Sequence, residues 1–180
     1  MASRASAHRR LHHWTATRVY RPGRFRRPYT WIGDTRIAVG ALPLPGGLEI
    51  AQADGVTHVV NCRAASQTRI SGELALERFV FGPDAVICAP MWDNGRPQDP
   101  AVFGPAARFA ARALDDPSAG VLIHCQQGRR RSVLVAYATL RLRGLQPGEA
   151  EELLISHRSE GELAPAYRTS VEEWLAAGDT

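Results

Sequence analysis

Residues 121–132 read Val-Leu-Ile-His-Cys-Gln-Gln-Gly-Arg-Arg-Arg-Ser and decide the fold of this chain. Residues 121–123 are apolar and predict a short buried strand. A turn that contains Gly128 follows this strand, and the residues after the turn return to an apolar spacing typical of a helix. A strand, a loop and a helix N-terminus in this order predict an anion site, because loop N–H groups and the helix dipole both favour negative charge.

Two side chains of this stretch predict its chemistry. Cys125 begins the loop in that positive field, so we expect its thiol to ionise readily and to act as a nucleophile. Arg131 ends the loop with a planar guanidinium that matches two phosphate oxygens. The stretch therefore predicts a site that binds a phosphoryl group and attacks it.

The stretch resembles the signature of the cysteine-dependent protein tyrosine phosphatase superfamily. That signature is His-Cys, five residues, Arg, and Ser or Thr, with Gly three residues after the Cys. The matching residues are His124, Cys125, Gly128, Arg131 and Ser132. The resemblance implies an α/β fold with a central, mostly parallel sheet of four to five strands, flanked by helices on both faces.

The elements predicted from hydrophobic patterns agree with such a sheet. Strands are predicted at residues 36–40, 56–62, 85–90 and 121–123, and helices at 48–53, 100–114, 147–157 and 163–177. Residues 63–83 give no clear pattern. Asn61 lies near the end of a predicted strand; it either braces the Cys125 loop, as the resemblance suggests, or is an ordinary strand-end residue.

The charge of the chain is unevenly distributed. The chain has 180 residues with 22 basic residues, all Arg, and 18 acidic ones, and its net charge is +4. Residues 1–30 hold eight Arg and no acid, so the remainder has 22 − 8 = 14 Arg and a balance of 14 − 18 = −4. We expect residues 1–29 to form a flexible or loosely docked basic tail. The alternatives are a segment that contacts an anionic partner or surface, and a transit peptide. We expect residues 30–180 to form one catalytic domain.

Cysteine usage bears on the compartment. Cys62, Cys88 and Cys125 lack the spacing of a disulfide framework or a zinc site, so the sequence predicts no metal, no cofactor and a reducing, cytoplasmic location. The sequence shows no membrane span and no secretory signal. We expect Cys62 and Cys88 to be buried apolar residues; the resemblance leaves open a reversible disulfide of one of them with Cys125.

The expected reaction also needs an acid that gives a proton to the leaving oxygen. Asp93 is the first candidate, because it follows a predicted strand in a segment with Gly and Pro that could close as a lid. It precedes Cys125 by 32 residues, which resembles the dual-specificity branch of the phosphatases. Asp99 is the competitor, although its place before Pro100 is typical of a helix N-cap.

The resemblance implies a role for each remaining residue of the stretch. Ser132 hydrogen-bonds the sulfur and His124 orders the loop, while Asp93 serves as acid and then as base. The residues predicted to bind substrate are Gln126, Gln127, Gly128, Arg129, Arg130 and Arg131. Arg129 and Arg130 stand where smaller or uncharged residues are common, so they either line the rim and favour polyanions or are simply solvated.

The activity implied is hydrolysis of phosphomonoesters through a cysteinyl-phosphate intermediate, by a dual-specificity protein phosphatase acting on phosphotyrosine and on phosphoserine or phosphothreonine. One alternative substrate is a phosphoinositide or a nucleotide end. Other classes are a rhodanese-like sulfur transferase, which needs no upstream acid, and a non-catalytic phosphate-binding module.

Overall fold

A five-stranded sheet forms the centre of the computed structural model, which describes residues 28–43 and 46–178. The strands are β1 Tyr29–Trp31, β2 Ile37–Gly40, β3 His58–Asn61, β4 Val86–Cys88 and β5 Val121–His124. They lie in the order β1-β2-β5-β3-β4, and all neighbours are parallel except β1, which pairs antiparallel with β2 at one edge. The mostly parallel sheet is therefore confirmed. Tyr29, which the sequence assigned to the tail, is the first residue of β1.

The helices surround this sheet. They are α1 Gly47–Ala53, α2 Ala65–Ser71, α3 Glu73–Phe81, α4 Pro100–Ala113, α5 Arg131–Leu142, α6 Pro147–His157 and α7 Pro165–Ala176. The helices predicted at residues 48–53, 100–114, 147–157 and 163–177 are confirmed within two residues. No helix of the described part is long and apolar enough to cross a membrane.

Residues 63–83, whose sequence gives no clear pattern, contain two short helices, α2 and α3. Gly72 separates them in the left-handed conformation, with φ 68°. α3 buries two carboxylates, Glu73 and Glu77, at 0% exposure. Because acidic residues occupy buried positions of α3, its apolar face is interrupted, and the hydrophobic periodicity that reveals a helix in a sequence is weak there.

Apolar side chains cover both faces of the sheet, because successive strand residues point to opposite sides. The larger cluster joins Val39, Val60 and Ile123 to the buried faces of α4, α5 and α7. The smaller cluster joins the alternate residues of the strands to α1 and α3. Each fully buried Val, Leu or Ile contributes about 1.5–3 kcal/mol, so both layers hold β5 in the middle of the sheet.

The position of β5 places the Cys125 loop at the centre of the sheet's carboxyl edge. His124 is in register with Gly40 of β2 on one side and with Asn61 of β3 on the other. The Cys125 N–H donates to Gly40 O at 3.2 Å, and the Cys62 N–H donates to His124 O at 2.8 Å. The chain therefore leaves the sheet between two other strand ends, where groups from several elements can meet.

Candidate active site

The Cys125 loop, residues 125–130, connects β5 directly to α5. Gly128 has φ 67°, and a Cβ there would lie 2.5 Å from the carbonyl carbon of Gly40 and 2.4 Å from Arg158 Nη2. Both the backbone conformation and the space therefore require glycine. Arg158 Nε donates to Gly128 O at 2.7 Å, so the loop is also held from the end of α6.

The Cys125 thiol is 1% exposed and lies among hydrogen-bond donors. The Gly128 N–H donates to Sγ at 3.2 Å, and Ser132 Oγ lies 3.5 Å from Sγ. Burial by itself would raise the pKa of this thiol. The charge of Arg131 and hydrogen bonds from Ser132 and the Gln127 N–H outweigh burial, so the pKa of Cys125 lies below its ordinary value. The site thus favours the thiolate, the nucleophilic form of cysteine.

Arg131 begins α5 beside this thiol and is 5% exposed. Its Nη1 donates to Cys62 O at 3.4 Å, Gln67 Oε1 at 3.2 Å and Met91 O at 3.2 Å. Its Nε is buried and has no hydrogen-bond partner among residues 28–43 and 46–178. Because a buried donor without a partner is costly, this N–H is suited to an oxyanion that occupies the site.

A buried hydrogen-bonded group supports the strand ends beneath the loop. Asn61 Nδ2 donates to both carboxylate oxygens of Glu77 at 3.1 Å, and His124 Nε2 lies 2.9 Å from Glu77 Oε1. All three side chains are fully buried. Asn61 therefore reaches His124, the residue before Cys125, through Glu77.

A second buried group holds the side chain of Gln126. Arg63 is 3% exposed and donates from Nε to Gln126 Oε1 at 2.9 Å. Its Nη1 donates to Ser71 Oγ at 2.7 Å and also contacts the Glu73 carboxylate. The Gln126 side chain is thus held by its amide oxygen, and its buried Nε2 has no hydrogen-bond partner among residues 28–43 and 46–178. Gln127, in contrast, is exposed on the loop.

The Asp93 segment, residues 89–99, connects β4 to α4 above this loop. Asp93 Oδ1 accepts a hydrogen bond from Tyr167 Oη at 3.3 Å and lies 3.9 Å from Arg130 Nη1. Asp99 is the N-cap of α4 and accepts from the Ala101 N–H at 2.9 Å. The helix-cap interpretation of Asp99 is confirmed, and of these two aspartates Asp93 is the one that lies beside the loop residue Arg130.

The two arginines before Arg131 lie at the rim of the site, and both are paired. Arg130 donates from Nε and Nη2 to the two Glu162 oxygens at 2.8 and 3.0 Å. Arg129 donates from Nε to Glu160 O at 3.3 Å, and half of its side chain is exposed. The sequence offered pocket lining or free solvation for these residues; ion pairing with the loop before α7 is a third arrangement.

Sequence reasoning missed several residues that contact the site, and four of them show why. Arg63 and Glu77 lie in or beside α2 and α3, where polar residues in buried positions leave no distinctive pattern. Glu162 and Tyr167 lie 37 and 42 residues after Cys125 and reach it only through tertiary packing. Tyr167 shares the buried face of α7 with two apolar residues, so periodicity indicates its burial but says nothing of its hydroxyl group.

The three cysteines are free thiols in different surroundings. Burial, and next the nearby Cys125, raises the pKa of Cys62 well above its usual range. Burial also raises the pKa of Cys88 to about 11. The expectation of a buried apolar cysteine is confirmed for Cys62, whereas Cys88 is only half-buried; a regulatory disulfide stays a prediction. The described residues contain no group of three or more His, Cys, Asp or Glu that could hold a metal ion.

The fold is that of the dual-specificity phosphatases. The solved structures that this chain resembles include human DUSP28, at TM-score 0.68 and 22% identity over 87% of this chain and 98% of that one. They also include PTPMT1 in complex with PI(5)P, at TM-score 0.71 and 21% identity over 85% and 99%.

The kinase-associated phosphatase, in a form whose catalytic-site cysteine is replaced by serine, matches at TM-score 0.70 and 18% identity over 86% of this chain and 97% of that one. No family model matches this chain, and no curated protein matches its sequence. Sequence identities this low establish the fold alone, so the chemistry must follow from the site.

Proposed function

We propose that this chain hydrolyses phosphomonoesters through a covalent cysteinyl-phosphate intermediate. The observation that carries the proposal is a thiol of lowered pKa next to a buried guanidinium N–H that has no partner among the described residues. The thiol supplies the nucleophile, and the guanidinium supplies charge for the phosphoryl oxygens.

In the first step the Cys125 thiolate attacks phosphorus, and a sulfur–phosphorus bond forms as the bond to the leaving oxygen breaks. Asp93 gives its proton to that oxygen, so the alcohol or phenol departs neutral. Arg131 and the loop N–H groups bind the equatorial oxygens, where charge is greatest in the transition state. His124 orders the end of β5 through its contact with Glu77.

In the second step water attacks phosphorus while the Asp93 carboxylate accepts its proton. The sulfur–phosphorus bond breaks, inorganic phosphate leaves and the thiolate returns. Ser132 donates a hydrogen bond to the departing sulfur, which stabilises its negative charge. The cycle consumes one water for each phosphate released and requires no cofactor.

For the substrate we propose a phosphorylated protein, with dual specificity, acted on in the cytoplasm. Arg129 and Arg130 are paired with residues 160–162, so their charge is partly neutralised and offers little attraction to a polyanion. Trp92, beside Asp93, is 63% exposed and could stack on the ring of a phosphotyrosine. A phosphoinositide is the second candidate, because PTPMT1 has been solved with PI(5)P and Arg129 remains half exposed.

The acid assignment is tested by Asp93→Ala. With a phosphotyrosine peptide we expect kcat to fall about 10²- to 10⁴-fold, the usual contribution of general acid catalysis. With p-nitrophenyl phosphate the loss should be smaller, because that leaving group departs without a proton. Asp99→Ala is the matched control; it removes the helix cap, lowers the free energy of unfolding by about 1 kcal/mol and leaves kcat near the wild-type value.

Equal turnover of the phosphopeptide by wild type and Asp93→Ala would contradict the role of Asp93. A panel of phosphotyrosine and phosphothreonine peptides, PI(5)P vesicles and a 5′-phosphorylated oligonucleotide would rank the substrates by kcat/KM. If the chain hydrolyses none of these substrates and no aryl phosphate but still binds inorganic phosphate, the result would favour the non-catalytic phosphate-binding module.

A further inference from the structure

Arg130 links three parts of the molecule that are far apart in sequence. It belongs to the Cys125 loop, binds Glu162 in the loop before α7, and faces Asp93 between β4 and α4. The neighbouring Arg131 donates to Met91 O in that same segment. Two consecutive arginines, the last residue of the loop and the first residue of α5, therefore contact residues on both sides of Trp92.

Glu162 fixes the direction of the Arg130 guanidinium. Its two oxygens accept from Nε and Nη2 at 2.8 and 3.0 Å, which is the fork geometry of an arginine–carboxylate pair. The Glu162 N–H donates to Arg129 O at 2.8 Å, so the carboxylate is anchored to the loop it serves. With Nε and Nη2 occupied, Nη1 remains to face Asp93.

Asp93 is held from two sides. Tyr167, fully buried in α7, donates its hydroxyl hydrogen to Oδ1 at 3.3 Å, and Arg130 Nη1 lies 3.9 Å from the same oxygen. The Arg130 and Asp93 side chains are 36% and 30% exposed, so solvent screens their attraction. A contact of this strength can orient the carboxyl group and still open when product leaves.

We propose that Arg130, oriented by Glu162, is a positioning residue that holds the Asp93 carboxyl group toward the leaving oxygen; this role rests on the proposed hydrolase function. As Asp93 gives up its proton it acquires negative charge, and the Arg130 guanidinium stabilises that charge in the transition state. The benefit is largest when the leaving group needs the proton most. Arg130 thus acts through Asp93 and not on the phosphate.

The test compares Arg130→Ala in wild-type and Asp93→Ala backgrounds, with phenyl phosphate as the poor leaving group and p-nitrophenyl phosphate as the good one. We expect kcat for phenyl phosphate to fall about tenfold in the wild-type background, a typical coupling between groups in contact. The loss for p-nitrophenyl phosphate should be smaller, KM should change little, and the Asp93→Ala background should show no further loss.

Two further variants and a control keep the test decisive if Arg130→Ala folds poorly. Glu162→Gln should give a smaller loss with the same leaving-group dependence, and Arg130→Lys a partial rescue, because lysine keeps the charge without the fork. Arg168→Ala, which removes an exposed arginine paired with Glu151, is the matched control and should leave both esters unaffected.

An equal loss from Arg130→Ala with and without Asp93 would overturn the proposal, as would a rise in KM that is the same for both esters, since that result makes Arg130 a phosphate ligand. A wild-type chain that hydrolyses neither ester would instead overturn the proposed function, and this role with it.

Discussion

Cys62 and Cys125 occupy equivalent positions at the ends of neighbouring strands, but their thiols differ in how readily they ionise. Each follows directly on a strand, β3 and β5, and these strands are neighbours in the sheet. Their exposures are 0% and 1%. Burial raises the pKa of both thiols, yet the pKa of Cys62 ends well above its usual range and that of Cys125 ends below it.

The difference comes from the chain that follows each strand. After Cys125 the loop turns back, so that the Gly128 N–H, Ser132 and Arg131 surround the sulfur. The thiol of Cys62 is instead near that of Cys125, a second group that can become an anion, which raises its pKa further. Donors arranged around a sulfur decide its ionisation, and burial alone works against it.

The largest effect expected from this comparison is on turnover. Cys125→Ser should lower kcat by at least about 10⁴-fold, as loss of a nucleophile does. Cys62→Ser, the same change one strand away, should leave kcat within about threefold, because no reaction step uses that thiol. The kcat of both variants is measured with p-nitrophenyl phosphate. A comparable loss of kcat in the two variants would contradict the assignment of Cys125, and not Cys62, as the nucleophile.

A smaller effect concerns the hydrogen bond from Ser132. Ser132→Ala should raise the pKa of Cys125 and lower kcat about 10- to 100-fold, because a hydrogen bond to a charged group contributes about 1.5–3 kcal/mol. The thiolate is followed by its absorbance near 240 nm as a function of pH, with Cys125→Ser as the blank. An unchanged titration curve would show that Ser132 does not stabilise the Cys125 thiolate.

The same titration tests how the ionisation of the two thiols, and the stability linked to it, depends on pH. The folded pKa of Cys125 lies below its ordinary 9.0, so its thiolate persists as pH falls from 9.0, and the linked stability is lost as pH falls through the folded value. The pKa of Cys62 is raised, so its thiol form persists above 9.0, and its linked stability is lost as pH rises through the folded value. Wild type should therefore show one thiolate below pH 9.0.

The smallest effect concerns the support shared by both strand ends. Glu77 binds Asn61, which precedes Cys62, and His124, which precedes Cys125. Glu77→Gln should lower the free energy of unfolding by about 1–3 kcal/mol, since the new amide places a donor against the Asn61 donor. Urea denaturation measures the change. Glu151, whose half-buried side chain pairs with the exposed Arg168, supplies the control. Glu151→Gln should lower the free energy of unfolding by less than about 1 kcal/mol.

The order of the two thiol pKa values should survive Glu77→Gln. Burial and the nearby Cys125 raise the pKa of Cys62 more than Glu77 does, and the donors around Cys125 remain in place. A reversed order would show that Glu77, and not the donors of the Cys125 loop, separates the two cysteines.

Much of the fold was predictable because its signals are local. The apolar run before His124, the β-branched run before Asn61 and the proline that begins α4 each indicate an element without reference to the rest of the chain. Residues 63–83 were not predictable, since α3 buries carboxylates where a helix normally buries apolar side chains.

The sequence by itself determined the strand, the loop and the helix around Cys125, together with the Gly128 and Arg131 that the loop requires, because these groups are joined by a few peptide bonds. Only the tertiary structure decided that Glu77 contacts His124, that Tyr167 and Arg130 lie beside Asp93, and that Glu162 occupies the Arg130 fork. These partners come from separate helices and loops, and burial and charge pair them only when the sheet is assembled.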